Sequence, residues 1–310
     1  MKALVTGGAG FIGSHIVDKL LDLGHEVVVV DDLSLGKKKN LFHHNKNSRF
    51  TFYKKSICTD LSAIFEKEKF DTIFHLAALP RVQYSIDYPM ESHEANINGT
   101  LNLLNLSKRY KIKRFVFSSS SSIYGDQEKT PLTEDLKPNP MSPYALHKLT
   151  GEYYCKLFYK LYGLQTISLR YFNVFGPRQD PDNPYSNLIP KFIKFAIARM
   201  TPKINGDGKQ KRDFTFVADV VNANIKAATT TNERCLGEMF NVGSGDNISV
   251  NDITKKMFDL AASKIKPSHG PALIEPRSTL AGLAKAKNLL GWSPKVDLQT
   301  GLKEIYNSLI

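Results

Sequence analysis

The chain has 310 residues, 42% of them hydrophobic and 23% charged, a composition ordinary for a globular protein of about two domains. No apolar run is long enough to span a bilayer, so we expect no membrane partner. The net charge of +12 raises the alternative of a nucleic-acid partner, but the lysines form no single basic helix, and we favour a site for an anionic small molecule.

The first informative stretch covers residues 1–14. An apolar, β-prone run at residues 3–5 stops at glycines, and an apolar run with helical spacing begins at Phe11. This order predicts a strand, a tight turn and a helix. Gly7 suits the sharp turn, Gly10 a close approach of the backbone to a pyrophosphate, and Gly13 the close packing of helix on strand. The free N–H groups at the start of the helix would face the phosphates.

A second buried strand, residues 26–30, follows the helix and ends in Asp31 and Asp32. Asp31 lies 18 residues beyond Gly13, close to the spacing of about 20 at which a ribose-binding acid follows the glycines of a dinucleotide-binding unit. Two adjacent carboxylates would repel a 2′-phosphate, which favours NAD over NADP. The lysines at positions 37–39 are the opposing signal.

Strands and helices continue to alternate, with strands predicted at residues 50–53, 72–76, 114–117 and 166–170, and helices at 60–69, 92–110 and 144–162. Repeated βα units predict a parallel sheet with helices on both faces and ligands at the carboxyl ends of its strands. After Tyr171, prolines and long loops indicate a smaller lobe. We predict an α/β fold: a Rossmann-type doubly wound NAD-binding domain from residues 1–170 plus roughly 213–236, and an α+β substrate-binding lobe from 171–212 and 237–310.

Two polar motifs carry the candidate chemistry. A run of five serines, residues 118–122, follows a buried strand and so lies where ligands bind. Tyr144 and Lys148 stand four residues apart on one face of a predicted helix. A nearby ammonium lowers the pKa of a phenol toward neutrality, so Tyr144 can act as a general base. The spacing alone is common and mostly structural; it becomes informative beside the glycine loop and the serines.

The three cysteines, Cys58, Cys155 and Cys235, lack the paired spacing of a zinc site. Their odd number and wide separation indicate a reducing compartment, and we predict no metal site. Because the glycine loop begins at Gly7, there is no room for a signal peptide, and we expect a cytoplasmic protein.

In these motifs the sequence resembles the extended short-chain dehydrogenase/reductases, specifically the nucleotide-sugar epimerases similar to UDP-glucose 4-epimerase. The resemblance rests on residues 6–13, 75–78, 96–100, 118–125, 144–148, 170–177, 187–190, 206–208, 212–214, 240–243, 284–287 and 289–292. It implies NAD-dependent C4 epimerisation of a UDP-hexose through a transient 4-keto sugar. In that reaction Tyr144 would take the proton of the 4-hydroxyl, Ser120 would hydrogen-bond the 4-oxygen, and Lys148 would hold the nicotinamide ribose and tune Tyr144.

The resemblance also implies the binding residues. Its cofactor contacts are Gly7, Gly10, Phe11, Ile12, Gly13, Asp31, Asp32, Ser56, Ile57, Leu76, Ala77, Ala78, Asn96, Ser118, Tyr144, Lys148 and Tyr171. Its substrate contacts are Ser120, Tyr144, Asn173, Asn187, Leu188, Arg212, Arg277 and Thr279. Arg212 would grip the diphosphate. Where the family usually has an Asp near the adenine, this chain has Ser56-Ile57-Cys58.

The C-terminal segment departs from the family pattern as well. The family usually has Arg-x-Gly-Asp there, and in this chain the Gly-Asp pair reads as deleted, which leaves Arg277 as the best candidate for a second diphosphate contact. The resemblance places Thr279 near the C2 substituent of the sugar. Because threonine is small, we expect UDP-N-acetylglucosamine and UDP-N-acetylgalactosamine to be accepted alongside UDP-glucose and UDP-galactose. A homodimer is also expected.

Other functions on the same architecture are weighed against this one. A UDP-glucuronate 4-epimerase differs mainly in pocket residues and stays an alternative. Dehydratases and decarboxylases need acidic residues where this chain has Ser121 and Ser122, so we disfavour both reactions. A non-catalytic nucleotide-binding scaffold would usually lose Tyr144, Lys148 or the serine, and all three are present.

Overall fold

The computed structural model describes residues 1–182, 188–272 and 275–310. Its strands are β1 (Lys2–Thr6), β2 (Glu26–Asp31), β3 (Phe50–Lys54), β4 (Thr72–His75), β5 (Arg114–Ser120), β6 (Gln165–Tyr171), β7 (Val174–Phe175), β8 (Lys203–Asn205), β9 (Lys211–Arg212), β10 (Thr215–Phe216), β11 (Glu238–Val242), β12 (Ile248–Ser249) and β13 (Ser268–Gly270). Seven of them form a parallel sheet in the order β11-β6-β5-β4-β1-β2-β3.

The chain changes direction across the sheet beside β1, which pairs with β2 on one side and with β4 on the other. Ligands of doubly wound sheets bind outside the carboxyl ends of the strands at such a reversal. Here the glycine loop after β1 lies against the segment after β4, so closely that a Cβ on Gly7 would come within 2.7 Å of the Ala77 nitrogen. The predicted Rossmann-type fold is confirmed.

Helices cover both faces of this sheet. The α-helices are α1 (Phe11–Asp22), α2 (Ser62–Glu68), α3 (Val82–Asp87), α4 (Pro89–His93), α5 (Gly99–Arg109), α6 (Pro143–Tyr162), α7 (Leu188–Ile197), α8 (Val217–Thr229), α9 (Val250–Leu260) and α10 (Leu298–Leu309). Alternate residues of β1 enter different cores: Val5 packs with α1 and α8, and Leu4 with α5 and α6. Burial on both faces explains why these strands are continuous apolar runs.

The helix predicted over residues 92–110 is present but not uniform. It consists of α4, a π-helical turn at Glu94–Asn98 and α5. The side chain of Asn96 within that turn bonds the backbone of Leu79 through both its oxygen and its nitrogen, at 2.8 and 3.1 Å. Such π turns are frequent at functional sites, and this one fixes the segment that follows β4.

The remaining elements build a smaller lobe from α7, α9, α10 and three two-stranded sheets. The sequence predicts that residues from 237 onward belong to the lobe, and for residues 238–242 this prediction is wrong. Strand β11 instead pairs with β6 at the edge of the central sheet, where Phe240 and Val242 are fully buried. The rest of the division into domains stays a prediction. Across the described ranges, no helix combines the length and apolarity needed to cross a membrane.

Candidate active site

A cleft of about 1240 Å³ runs over the carboxyl ends of the central strands and into the smaller lobe. It collects almost every predicted cofactor residue: Gly7, Gly10, Phe11, Ile12, Gly13, Asp31, Asp32, Ser56, Ile57, Leu76, Ala77, Ala78, Ser118, Tyr144, Lys148 and Tyr171. It also contains four predicted substrate residues, Ser120, Asn173, Arg212 and Thr279. Both halves of the predicted site therefore lie in one cavity.

The glycine loop brings bare backbone to the floor of this cleft. Gly7 has a φ of +70°, a conformation that side chains disfavour. A Cβ on Gly13 would lie 2.2 Å from the Gly7 oxygen, so only glycine lets α1 start this close to β1. The N–H groups in the first turn of α1 have no partner within the helix. This cradle fits the diphosphate of a dinucleotide.

Two carboxylates lie beside the cradle. Asp31 is buried and accepts hydrogen bonds from the backbone N–H groups of Ala9 and Leu33 at 2.9 and 2.8 Å. Burial raises the pKa of Asp31, although these two bonds act in the opposite direction. Among the lysines that oppose the NAD preference, Lys37 is paired with Asp180 at 2.6 Å. A 2′-phosphate would have to displace that carboxylate, which supports NAD as the better fit.

The polar groups of the reaction centre project from β5 and α6. Ser142 caps α6 by accepting a hydrogen bond from the Ala145 nitrogen, and Pro143 fills the first helical position. This start places Tyr144 and Lys148 in the cleft facing the end of β5. The Lys148 ammonium donates to the Ser118 carbonyl at 2.6 Å and lies 5.9 Å from the centre of the Tyr144 ring.

The electrostatics of Tyr144 differ from the sequence prediction. The pKa of Tyr144 is raised, because its burial outweighs a hydrogen bond from Ser120 and the positive charge of Arg81. Lys148, expected to lower that pKa, is itself buried, which lowers its own pKa to about 8. Its ammonium is engaged by the Ser118 carbonyl rather than by the phenol. Arg81 is therefore a second cation, besides Lys148, that acts on Tyr144.

Ser120 can donate a hydrogen bond into the cleft. Its hydroxyl oxygen accepts from the backbone nitrogen and the hydroxyl of Ser122, at 3.2 and 2.9 Å. Because Ser122 supplies those protons, the proton of Ser120 is available for another acceptor. Ser120 thus serves Tyr144 or a bound oxygen atom.

A buried ion pair next to β5 holds the strand that carries the serine run. Arg170 on β6 binds Glu152 on α6 through two bonds of 2.9 and 2.8 Å. Glu152 also accepts from the Ser119 hydroxyl at 2.5 Å, and Arg170 donates to the Tyr124 hydroxyl at 2.8 Å. These bonds fix β5 and α6, the two elements that carry the reactive groups, relative to each other.

A smaller pocket of about 280 Å³ adjoins the cleft in the second lobe. Asn173, Arg212 and Glu275 line both cavities, and Leu188 lines only the smaller one. The Arg212 guanidinium binds the Glu275 carboxylate at 2.6 Å and is mostly buried. The Asn173 amide donates to the Asp213 carbonyl at 2.8 Å. A nucleotide that extends from the cleft into this pocket would meet Arg212 at the junction.

Comparison with known proteins now gives the family. The sequence profile of the NAD dependent epimerase/dehydratase family matches residues 3–243. The chain belongs to this family. The resemblance seen in its motifs is confirmed.

Several solved structures share the whole fold. UDP-glucose 4-epimerase of Thermotoga maritima, solved with UDP-glucose, is 39% identical with a TM-score of 0.94, over 100% of this chain and 98% of its own. UDP-N-acetylglucosamine 4-epimerase of Methanobrevibacter ruminantium is 37% identical with a TM-score of 0.94, over 99% and 97%. UDP-glucuronic acid 4-epimerase of Bacillus cereus, solved with its substrate and NAD, is 35% identical with a TM-score of 0.92, over 100% and 99%.

Within this epimerase/dehydratase chain, three of the predicted contacts that the structure describes lie outside the cleft. Asn96 stands behind the cleft wall, where its amide bonds Leu79. Leu188 reaches only the smaller pocket. Arg277 is exposed, and its carbonyl accepts from the Lys211 nitrogen outside the cleft. The structure therefore does not bring Arg277 to the site as a diphosphate contact. Asn187 lies outside the described residues.

Two residues of the cleft were missed by the sequence analysis. Arg81 follows the 76–80 segment and acts electrostatically on Tyr144. Glu275 lies just before Arg277, in the segment where the family's Gly-Asp pair reads as deleted, and its carboxylate binds Arg212. The Leu-Pro-Arg sequence after the two alanines that follow β4 could have pointed to Arg81. The contact of Glu275 joins residues 63 positions apart, and no local pattern marks it.

Proposed function

We propose that this chain is an NAD-using 4-epimerase of UDP-sugars. One observation carries the proposal: Tyr144 and Ser120 lie in the same cavity as a dinucleotide cradle and an arginine of the second lobe. NAD, when bound, supplies the hydride acceptor and donor at the sugar C4. The homologous structures described above, each a 4-epimerase of a UDP-sugar, support the assignment.

The side chains divide the work. Tyr144 takes the proton of the 4-hydroxyl as a general base and returns it when the opposite epimer forms. Ser120 donates a hydrogen bond to the 4-oxygen. Arg212 holds the diphosphate with its planar pair of donors, exchanging Glu275 for phosphate oxygens. Lys148 anchors the nicotinamide ribose while its bond to Ser118 fixes its position.

A panel of nucleotide sugars tests this function. The protein is incubated with the UDP-linked forms of glucose, galactose, N-acetylglucosamine, N-acetylgalactosamine and glucuronate, and the C4 epimers are separated. We expect interconversion of at least one pair with no net consumption of NAD. Absence of every C4 epimer while NAD stays bound, together with salt-dependent binding of DNA, would instead favour a non-catalytic scaffold.

UDP-glucuronate is the second candidate substrate. Arg81 lines the cleft beside Tyr144, and its guanidinium is suited to a sugar carboxylate. Asp180, which also lines the cleft, opposes a second negative charge there. The relative kcat/KM of UDP-glucuronate and UDP-glucose in the panel decides between them.

The acidic limb of the rate profile should depend on Arg81. Removing its positive charge in Arg81→Gln raises the pKa of Tyr144 further, so less phenolate is present at neutral pH. Charge interactions near a protein surface are worth about 1–4 kcal/mol, and we expect kcat/KM at pH 7 to fall on the order of tenfold, with recovery at high pH. Arg81→Lys keeps the charge and should keep the profile. If the wild type, Arg81→Gln and Arg81→Lys have the same pH dependence of kcat/KM, Arg81 does not influence the pKa of Tyr144.

The choice of sugar should depend on Thr279. It is buried, lines the cleft, and accepts a hydrogen bond from the Asp213 nitrogen at 3.3 Å. We expect Thr279→Tyr to suppress turnover of the N-acetylated sugars by at least about tenfold, the cost of a clash of ~1.4 kcal/mol, and to spare the plain hexoses. Its neighbour Ser278 does not line the described cleft, so Ser278→Tyr is the control. An equal loss of turnover on both kinds of sugar would show that Thr279 does not line the pocket for the C2 substituent.

We also propose a cytoplasmic homodimer. The free thiols of all three cysteines support a reducing compartment. Four large apolar side chains at helical spacing form an exposed stripe on α6: Leu146, Tyr153, Leu157 and Leu161, 47–66% exposed. A second copy of the chain would bury this stripe.

If the stripe on α6 forms the dimer interface, a charge placed in it should lower the mass of the protein in solution. Leu157→Glu puts a charge in the centre of the stripe and should shift sedimentation velocity from dimer to monomer. Met200→Glu is the matched control, since Met200 is equally exposed, at 53%, but lies off α6. A wild-type monomer, or a dimer that survives Leu157→Glu, contradicts this interface.

A further inference from the structure

Three side chains outside the cleft converge on one point. Asp18 projects from α1, and His43 and His44 end the 3-10 turn at Lys38–His44. The Nε2 atoms of both imidazoles lie beside the same carboxylate oxygen, Oδ1 of Asp18, at 2.9 and 2.7 Å. The potential ligand atoms of the three residues all lie within 4.8 Å of one another.

The chemistry of this donor set is that of a borderline divalent cation. Two imidazoles and one carboxylate suit Zn²⁺ and its neighbours in the first transition row, whereas Mg²⁺ and Ca²⁺ prefer sets of oxygen atoms. Without a metal, two ring nitrogens must share one oxygen atom as hydrogen-bond acceptor. The imidazole rings are also packed side by side, with centroids 3.9 Å apart, so both Nε2 atoms face the same space.

The surroundings hold the carboxylate in place. The second oxygen of Asp18 binds the guanidinium of Arg178 at 2.7 Å. The His44 side chain is 10% exposed and its ring packs against Phe50, whereas His43 is 48% exposed and leaves the site open to solvent. A carboxylate fixed by an outer partner is typical of metal ligands, and the open side admits both an ion and a water ligand.

From this arrangement, and contrary to the absence of a metal site predicted from the cysteines, we propose a Zn²⁺-type site formed by Asp18 Oδ1, His43 Nε2 and His44 Nε2, with water as the fourth ligand. Metal–ligand bonds of about 2.0–2.2 Å in a tetrahedron separate the ligand atoms by roughly 3.3–3.6 Å. The two Nε2–Oδ1 distances therefore need to open by ~0.5 Å. Rotation of the exposed His43 ring and a small turn of Asp18 provide that change.

The site joins two walls of the nucleotide cleft. Two groups from the segment before His43, the Lys37 nitrogen and the Asn40 amide, donate to the Ala9 carbonyl of the glycine loop at 2.9 Å each. The metal adds a further link between this segment and α1. Because it binds the folded chain, it stabilises that chain, and we expect a rise in melting temperature that grows with metal concentration.

Direct titration tests the site. The full chain, treated with EDTA and dialysed, is titrated with ZnCl₂ by calorimetry, and with CoCl₂ while the visible spectrum is recorded. We expect one ion per chain, the intense visible bands of four-coordinate Co²⁺, and no binding of MgCl₂ under the same conditions. His43→Ala and Asp18→Asn should each weaken Zn²⁺ binding at least tenfold and abolish the thermal shift.

The controls separate this site from others on the chain. His269→Ala removes an exposed histidine on β13 that belongs to no such cluster among the described residues, and it should leave Zn²⁺ binding unchanged. Because His43 is half exposed, His43→Ala is expected to fold, which circular dichroism and NAD binding verify. Equal Zn²⁺ affinity in wild type, His43→Ala and Asp18→Asn would show that metal binds elsewhere and would overturn the proposal. So would absence of Zn²⁺ binding by the wild type.

Discussion

Replacing Tyr144 by phenylalanine is expected to lower the rate of C4 epimerisation by about 10²–10⁴, the usual contribution of general acid–base catalysis. The substitution deletes the phenolic oxygen that accepts the proton of the 4-hydroxyl. The ring stays, and so does its packing in the cleft wall. Because the glycine loop and Asp31 are untouched, NAD should remain bound, as measured by calorimetry or by analysis of the nucleotide released on denaturation.

The control is Tyr153→Phe on the same helix, since Tyr153 is exposed and does not line the cleft. It loses an equivalent hydroxyl and should keep the wild-type rate. An epimerisation rate of Tyr144→Phe within a few-fold of the wild-type rate would show that Tyr144 is not the general base. In that case the proton would have to pass to another group in the cleft.

Among the variants proposed here, Arg170→Met should lower the free energy of unfolding most. It leaves the Glu152 carboxylate, which is fully buried, with the Ser119 hydroxyl as its remaining hydrogen-bond donor among the residues that the structure describes. Breaking a buried pair by removing one partner costs about 3–5 kcal/mol, because an uncompensated charge stays in the interior. The single tryptophan, Trp292, is fully buried and reports unfolding by fluorescence during urea titration.

The matched control is Lys255→Met, which breaks the exposed ion pair with Asp259 on α9. Surface pairs of this kind contribute little, so its urea midpoint should stay near that of the wild type. Arg170→Met should also slow turnover, since Ser119 precedes Ser120 on β5. A urea midpoint for Arg170→Met equal to that of Lys255→Met would show that the buried pair is not stabilising.

Local sequence patterns account for the sheet and for the cofactor side of the cleft. The glycines, the valine run of β2 and Asp31 follow one another within about thirty residues, so their spacing carries the geometry. Parallel strands then bring the serine run and the Tyr144 helix to the same edge. The sequence prediction places β11 in the wrong domain. The strand joins the central sheet only by pairing with β6, about seventy residues earlier, and no local pattern indicates that pairing.

The electrostatics of the site were harder to predict. Spacing on a helix places Tyr144 and Lys148 on one face, but it does not reveal that the Ser118 carbonyl takes the ammonium. Nor does it reveal that burial raises the pKa of the Tyr144 phenol. The same limit applies to Glu275, whose partner Arg212 comes from a distant loop. The pKa of Tyr144 and the partners of Lys148 and Arg212 therefore depend on contacts between segments that are distant in the sequence.

The Lys37–Asp180 pair bears on how long the cofactor stays. Both residues line the cleft, and their 2.6 Å bond joins the segment after β2 to the loop after β7. We expect a dinucleotide bound in this cleft to leave more slowly while the pair is closed. Since epimerisation restores the oxidised cofactor in every cycle, NAD has no need to leave between turnovers, and we expect its release to become faster in high salt, which weakens the pair.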